Sequence, residues 1–211
     1  MDKFSKVVEI LYVFQCLRAT LHIVLFAASP AKTLIQSDID RWLHVTGGIK
    51  YQGLPKWRGL VWLLWRYPEY RNLYYYRIKK EYRLTSRAFM ELSKLLFAPV
   101  EVLYVRAGEI DEGLYIQHGY CTDISARRIG KNCWINQLVV IGYSDEDSAP
   151  TIGDNVQIKT GAMIFGNITV GDNSMIGAGA VVLKNVPPNC TVVGVPAHIV
   201  RRDGRRVNEP L

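Results

Sequence analysis

Aliphatic residues recur at every sixth position along the C-terminal half of the chain. From Ile152 to Val182 no position of this series is missed, and shorter runs with the same spacing begin at Ile110 and Ile129. This period fits neither the 3.6-residue repeat of a helix nor the two-residue repeat of a strand. It is typical of a parallel β-helix, in which each hexapeptide supplies one short strand and one corner. The series consists of Ile110, Ile116, Ile129, Ile135, Ile141, Ile152, Ile158, Ile164, Val170, Ile176 and Val182.

The positions between these aliphatic residues agree with a β-helix. Four residues after the aliphatic stands a residue that must pack at a corner, as at Cys133, Val139, Val156, Ala162, Ser174 and Ala180. Two interruptions break the count. One extra residue falls between Gln117 and Arg128, with His118 at its beginning, and a polar, acidic segment runs from Tyr143 to Pro150. Insertions in a solenoid fall at corners and mark its functional face.

The first half of the chain has the pattern of α-helices separated by proline and glycine. One apolar helix starts at Phe4 and ends at Ser29-Pro30. Asp38 and Asp40 are expected in the first turn of the next helix. This helix is predicted from Thr33 or Ser37 to Val45. Two further helices are predicted from Pro55 to just before Pro68 and from Thr85 or Ser86 through Phe97. The chain is therefore predicted to be α+β, with a helical domain at 1–100, a parallel β-helix at 101–200 and a basic tail at 201–211.

The amino-acid composition limits the classes of partner that the protein is expected to bind. The hydrophobic fraction of 49% is that of a globular protein, and the formal charge of +7 favours a partner with negative charge. No dense basic run interleaves with aromatic residues, so we do not expect nucleic acid. Polar residues interrupt the apolar N-terminal segment, which we interpret as an amphipathic helix that packs inside the protein or against a neighbour, with shallow attachment to a membrane surface as the alternative. The cysteines form no C-x-x-C pair and no two histidines have metal-ligand spacing, so we predict free thiols and no metal.

The coil motifs together with the helical segment resemble the hexapeptide-repeat acyltransferases, and within them the serine O-acetyltransferases. The resemblance covers two stretches of the chain. In the helical part the motifs are Ser37-Asp-Ile-Asp-Arg-Trp42, Tyr67-Pro-Glu-Tyr-Arg-Asn72 and Tyr75-Tyr-Arg77. In the coils they are Gly113-Leu-Tyr-Ile-Gln-His-Gly119, Ile129-Gly-Lys-Asn-Cys-Trp-Ile135, Ile152-Gly-Asp-Asn-Val156, Ile176-Gly-Ala-Gly-Ala-Val-Val182 and Gly194-Val-Pro-Ala197.

This resemblance implies left-handed β-helices that form trimers, with active sites between neighbouring prisms and acetyl-CoA as the donor. It assigns the catalytic role to His118. An imidazole can take the proton of an acceptor hydroxyl as that hydroxyl attacks the thioester. Resemblance further implies substrate contacts at Gln117, Asp38 and Arg71. For acetyl-CoA it implies Thr160 and Ala178, and the sugar acetyltransferases add Leu183, Lys184 and Arg201.

The chain departs from the serine acetyltransferase pattern around the base. Gln117 stands where the family has an aspartate directly before the histidine. The aspartate that orients the imidazole is also missing, so Glu101 or a backbone carbonyl would have to replace it. Ser148-Ala149-Pro150 stands where a second histidine would precede a proline. These departures leave the identity of the acceptor open.

The leading hypothesis is a cytoplasmic enzyme that transfers acetyl from acetyl-CoA to the hydroxyl of L-serine, for cysteine biosynthesis. One alternative is a sugar or capsular-precursor O-acetyltransferase with the same donor and base, and another is a scaffold without catalysis. We expect a homotrimer, with a dimer of trimers left open, and no membrane association. The chain ends in Leu211 where the family has an isoleucine that docks into cysteine synthase, so that complex has little support.

Overall fold

The computed structural model describes residues 3–47, 53–81, 84–146 and 148–211. Contacts divide the chain into two compact units, Met1–Pro99 and Val100–Leu211. We call them the helical unit and the coil unit.

The described part of the helical unit contains six α-helices. The helix that ends at Val45 and the one that ends at Arg66 lie close to their predicted bounds. The tyrosine-rich segment before residue 81 forms a further helix, for which the proline positions had given no predicted bounds. The helices are α1 Lys3–Arg18, α2 Thr20–Ala28, α3 Lys32–Val45, α4 Lys56–Arg66, α5 Pro68–Glu81 and α6 Leu84–Leu96.

The apolar N-terminal segment differs from its prediction as one helix. It is two helices, α1 and α2, that meet at Ala19 with a bend of 52° between Leu11–Arg18 and Thr20–Ala28. The Thr20 hydroxyl donates to the carbonyl oxygen of Leu17 at 2.8 Å. Threonine hydroxyls that bond back to the preceding turn often accompany a helix bend. Among the described residues no single helix is long and apolar enough to cross a membrane. Only the two helices of this bent pair, taken together, have the required length and apolar composition.

Two smaller expectations about helix ends were wrong. Asp38 and Asp40 lie in the middle of α3 rather than in its first turn, because α3 begins at Lys32. Pro55 is the N-cap residue of α4, with φ −51° and ψ 132°, and not its first helical residue. The predicted stop at Gly48 lies outside the described residues.

The coil unit is a parallel β-helix built from three sheets. The first sheet contains the strands Leu103–Val105 (β1), Thr122–Ile124 (β4), Val140–Gly142 (β7), Met163–Phe165 (β10) and Val181–Val182 (β13). The second contains Glu109–Ile110 (β2), Arg128–Ile129 (β5), Thr151–Ile152 (β8) and Thr169–Val170 (β11). The third begins with Tyr115–Ile116 (β3), Trp134–Ile135 (β6), Gln157–Ile158 (β9) and Met175–Ile176 (β12). The prediction of helices followed by a parallel β-helix is confirmed.

The six-residue series forms the core of the prism. Ile135 is in register with Ile116 and Ile158, and Ile158 with Ile176, so the same side chain repeats from coil to coil. Every member of the series is at most 4% exposed, and the predicted corner residues are also buried. Each such aliphatic side chain contributes about 1.5–3 kcal/mol by leaving water. Glycine follows the aliphatic where the next coil comes close, since a Cβ at Gly153 would lie 2.2 Å from Asp172 Oδ1.

The repeat ends in an antiparallel hairpin. Cys190–Val193 (β14) extends the third sheet, and His198–Arg202 (β15) and Arg205–Pro210 (β16) pair beyond it. The predicted basic tail is therefore the outer part of this hairpin. Arg201 and Arg206 are opposite each other in it.

Candidate functional site

The corner after β3 holds His118 in a constrained turn. His118 has φ 64° and the following Gly119 has φ 34°, and the amide of Tyr120 donates to the His118 carbonyl. Left-handed φ is uncommon for a residue other than glycine. The turn leaves the His118 side chain exposed while Gly119 is buried. The corner therefore presents the imidazole outward on a fixed backbone.

Successive coils stack their corners along one edge of the prism. The Leu138 amide donates to the Tyr120 carbonyl at 2.9 Å, and the Gly179 amide donates to the Thr160 carbonyl at 3.0 Å. Between them the Gly161 amide donates to the Gln137 carbonyl at 3.2 Å. This edge lies between the third sheet and the first, and we call it the histidine edge.

The histidine edge brings together the predicted base and two predicted donor contacts. Thr160 lies two coils beyond His118, and Ala178 lies three coils beyond it. Coils repeat roughly every 4.8 Å, so the three residues span about 14 Å. Their alignment suits an extended ligand that lies along the prism with its reactive end at His118.

The other three predicted donor contacts lie elsewhere on the coil unit. Leu183 and Lys184 follow β13 at the next edge, between the first and second sheets, and both are exposed. Lys184 Nζ donates to the carbonyl oxygen of Leu211 at 2.8 Å. Arg201 lies on β15 and is exposed. The described residues of the acidic insertion, 143–146 and 148–150, also lie at that next edge and not at the histidine edge.

Gln117 directly precedes the base and is held by two side chains of the next coil. Its Oε1 accepts hydrogen bonds from Trp134 Nε1 and from Asn136 Nδ2, each at 3.1 Å. The Trp134 ring packs edge-on against Tyr115, with ring centroids 4.8 Å apart. The sequence interpretation missed Trp134 and Asn136. Counting one coil of nineteen residues onward from Tyr115 and Gln117 would have found both.

Asp38 and Arg71 have partners inside the helical unit. Asp38 accepts from Arg77 Nε at 2.9 Å and from Arg77 Nη2 at 3.3 Å, and both side chains are almost completely buried. Arg71 donates to three backbone carbonyls, those of Leu64, Trp65 and Ala98. Their predicted role in substrate binding stays a prediction.

Two further titratable side chains, His22 and Cys133, are buried. Burial lowers the pKa of His22 to about 4, and its Nε2 bonds to the Tyr75 hydroxyl at 2.8 Å. Burial raises the pKa of the Cys133 thiol to about 12, so this thiol does not supply a thiolate at neutral pH. In the part of the chain that the structure describes, no group of three or more His, Cys, Asp or Glu side chains is placed to hold a metal.

Comparison with known proteins finds relatives for the repeats, the sequence and the fold of the chain. The family model for the bacterial transferase hexapeptide (six repeats) matches residues 149–184. The chain is 37% identical to a serine acetyltransferase of Staphylococcus xylosus over 135 residues, which are 62% of this chain and 61% of that protein. It is 39% identical to the serine acetyltransferase of Staphylococcus aureus (strain N315), also over 135 residues, with 62% of each chain covered. The matched region thus spans less than two thirds of these relatives.

Solved structures of serine acetyltransferases share the fold over most of the chain. The soybean apoenzyme aligns with a TM-score of 0.62 and 25% sequence identity, and the alignment covers 86% of this chain and 74% of the soybean chain. The Neisseria gonorrhoeae enzyme in complex with serine has a TM-score of 0.63 and 26% identity, covering 84% and 73%. The enzyme of Brucella abortus strain S19 in complex with coenzyme A has a TM-score of 0.57 and 27% identity, covering 90% and 74%. The coil unit accordingly shares its repeats with the bacterial transferase hexapeptide model, and the proteins that the chain resembles in sequence and fold are serine acetyltransferases.

Proposed function

We propose that the chain is a serine O-acetyltransferase that uses acetyl-CoA as donor and His118 as general base. The observation that carries this proposal is the histidine edge, where an exposed imidazole is aligned with Thr160 and Ala178. Relatives solved with serine and with coenzyme A support the choice of both substrates. O-Acetylserine would be the product, for cysteine synthesis.

The reaction needs no covalent enzyme intermediate. His118 removes the proton of the serine hydroxyl as its oxygen attacks the thioester carbonyl carbon. The tetrahedral intermediate then breaks its carbon–sulfur bond, and the imidazolium returns the proton to the leaving thiolate of CoA. Backbone N–H groups at a tight corner are suited to stabilise the oxyanion. Thr160, Ala178 and Leu183 would contact the donor. Lys184 and Arg201 would lie towards its phosphates, since cations bind phosphate oxygens.

The assembly and location belong to the same proposal. A homotrimer would complete each site between two prisms, as the family resemblance implies, with a dimer of trimers as a further option. Acetyl-CoA is a cytoplasmic metabolite, so the proposed reaction takes place in the cytoplasm.

A second candidate keeps the donor and base but transfers acetyl to a sugar hydroxyl. The uncharged amide of Gln117 beside the base favours it, because this position offers no counter-ion to the ammonium group of an amino acid.

Thiol release from acetyl-CoA tests both candidates. Wild-type protein is expected to release thiol with L-serine, and His118→Ala is expected to lower kcat about 10²–10⁴-fold, the usual contribution of a general base. His44→Ala, at an exposed position near the end of α3, is the matched control and should leave the rate unchanged. Release with sugars but not with serine would select the second candidate. An unaffected His118→Ala rate would overturn the assignment of the base.

A further inference from the structure

Gln117 has a fixed amide orientation. An indole N–H can only donate a hydrogen bond, so the atom that Trp134 Nε1 meets at 3.1 Å must be the carbonyl oxygen of Gln117. Asn136 Nδ2 donates to the same oxygen. Both acceptor positions of Oε1 are therefore occupied by the neighbouring coil.

The other end of the amide consists only of donors. Gln117 Nε2 carries two N–H groups, and in the described part of the chain no acceptor bonds to them. The side chain is half-buried and precedes His118 directly. Next to the base, Gln117 thus offers hydrogen-bond donors and no free acceptor.

A positive charge lies on the same outer face of the third sheet. Lys159 Nζ is 5.6 Å from the centroid of the Trp134 ring and donates to Gln157 Oε1 at 2.7 Å. A cation on this face favours an oxygen that carries negative charge over an ammonium group.

We propose that Gln117 donates through Nε2 to an oxygen of the acceptor substrate, and that it binds the substrate by a carboxylate or hydroxyl oxygen rather than by an ammonium group. Gln117 is then a residue that determines acceptor specificity. Because it adjoins the proposed base, this assignment rests on acetyl transfer at His118.

Gln117→Glu separates the two recognition modes. The carboxylate still accepts from Trp134 and Asn136, so the fold should be kept and the melting temperature should stay close to that of wild type. The donors are lost and a negative charge is added. We expect the KM for L-serine to rise about tenfold or more, since a hydrogen bond to a charged group is lost. The KM for acetyl-CoA should stay within about twofold.

Asn167→Asp is the matched control. Asn167 is exposed at the next edge of the prism and its Oδ1 accepts from Arg127 Nη2 at 3.5 Å. Its change to aspartate also keeps the acceptor, removes the donors and adds one charge. It should leave the KM for serine unchanged.

The KM for L-serine is the decisive quantity, since a carboxylate beside His118 also alters kcat. A KM that falls or stays within twofold of wild type in Gln117→Glu would overturn the proposal. Serinol, which lacks the carboxylate, identifies the oxygen: a penalty that disappears with serinol assigns the contact to the carboxylate, and one that persists assigns it to the hydroxyl.

The outcome also separates this assignment from the proposed function. If wild type uses a sugar and not serine, the serine assignment fails, and the KM ratio measured with that sugar still decides the role of Gln117. If wild type turns over no acceptor, both proposals fail.

Discussion

The helical unit buries charged and titratable side chains, whereas the coil unit buries aliphatic ones. In the described helical residues the buried polar groups include His22 and the pair Asp38–Arg77, and in the coil unit they are the hydroxyls of Thr122, Ser125, Ser148 and Ser174. The two units also differ in net charge, which is positive in the helical unit and slightly negative in the coil unit. Residues 1–99 contain 16 Lys and Arg against 7 Asp and Glu, and residues 100–211 contain 10 against 12.

This difference separates two sources of stability. Stacked isoleucines stabilise the coil unit by burying apolar surface area. They carry no titratable group, so their contribution to the free energy of unfolding does not depend on pH. A buried charge or imidazole is stable only while its protonation state and its partner are kept. We therefore expect single polar changes to weaken the helical unit most, and acid to act mainly on that unit, because burial raises the pKa of the Cys133 thiol in the coil unit to about 12.

The largest effect is expected from Asp38→Ala. This change leaves the guanidinium of Arg77, which is 3% exposed, buried without its carboxylate. Breaking one side of a buried ion pair costs about 3–5 kcal/mol. Hydrogen exchange of amides in α3 and α5 would measure the loss. An exchange change equivalent to less than about 1 kcal/mol would contradict the comparison, since a buried ion pair should be worth more.

The control is the double variant Asp38→Leu with Arg77→Met. It replaces the pair by apolar groups of similar size and should recover most of the stability. The same variant tests the predicted substrate role of Asp38. An unchanged KM for serine in the folded double variant would remove that role, and a raised KM would support it.

The next effect is that of Ile158→Ala in the coil unit. Ile158 is fully buried and in register with Ile135 and Ile176, so the change leaves a cavity in the stack. Cavities of this kind cost about 2–5 kcal/mol. Denaturant unfolding should show the loss, and Met163→Ala, at a side chain 40% exposed, should cost much less. Faster exchange in the helical unit of Ile158→Ala would show that the two units do not unfold independently.

The coil unit could be predicted almost position by position because its period is set by geometry. An aliphatic residue six positions after another must face the same interior. Ile124 escaped the count, because two extra residues lie before it and one is missing after it. The bend between α1 and α2 was missed for another reason. It lies within a continuous apolar segment that has no proline or glycine near Ala19 to indicate a break.

The candidate site could be placed from the sequence where it follows the coil repeat. The family resemblance assigned the base to His118 and the donor contacts to Thr160 and Ala178, which lie eighteen residues apart, and these roles stay predictions. Trp134 and Asn136 were missed because the first coil contains nineteen residues, one more than the regular repeat of eighteen. The ion pair of Asp38 joins residues 39 positions apart, and no local pattern relates them.

The smallest effect in this series is the pH dependence carried by His22. The Tyr75 hydroxyl donates its only proton to the Phe97 carbonyl at 2.8 Å, so it accepts from His22 Nε2. Nδ1 is buried and has no partner in the described residues. Burial, together with the positive charges of Arg71 and Arg18, lowers the pKa of His22 from 6.5 to about 4.

Between pH 6.5 and 4 the unfolded chain therefore binds more protons than the folded one, so stability rises with pH. The contribution is complete above about pH 6.5 and is progressively lost below it, by about 2 kcal/mol at pH 5. Hydrogen exchange of α2 amides at pH 7 and pH 5, corrected for intrinsic rates, would measure this loss. His22→Phe should remove it, and amides of the coil unit should show none. A coil unit that weakens as much as α2 would mean that acid acts on both units, and the division between charged and aliphatic cores would fail.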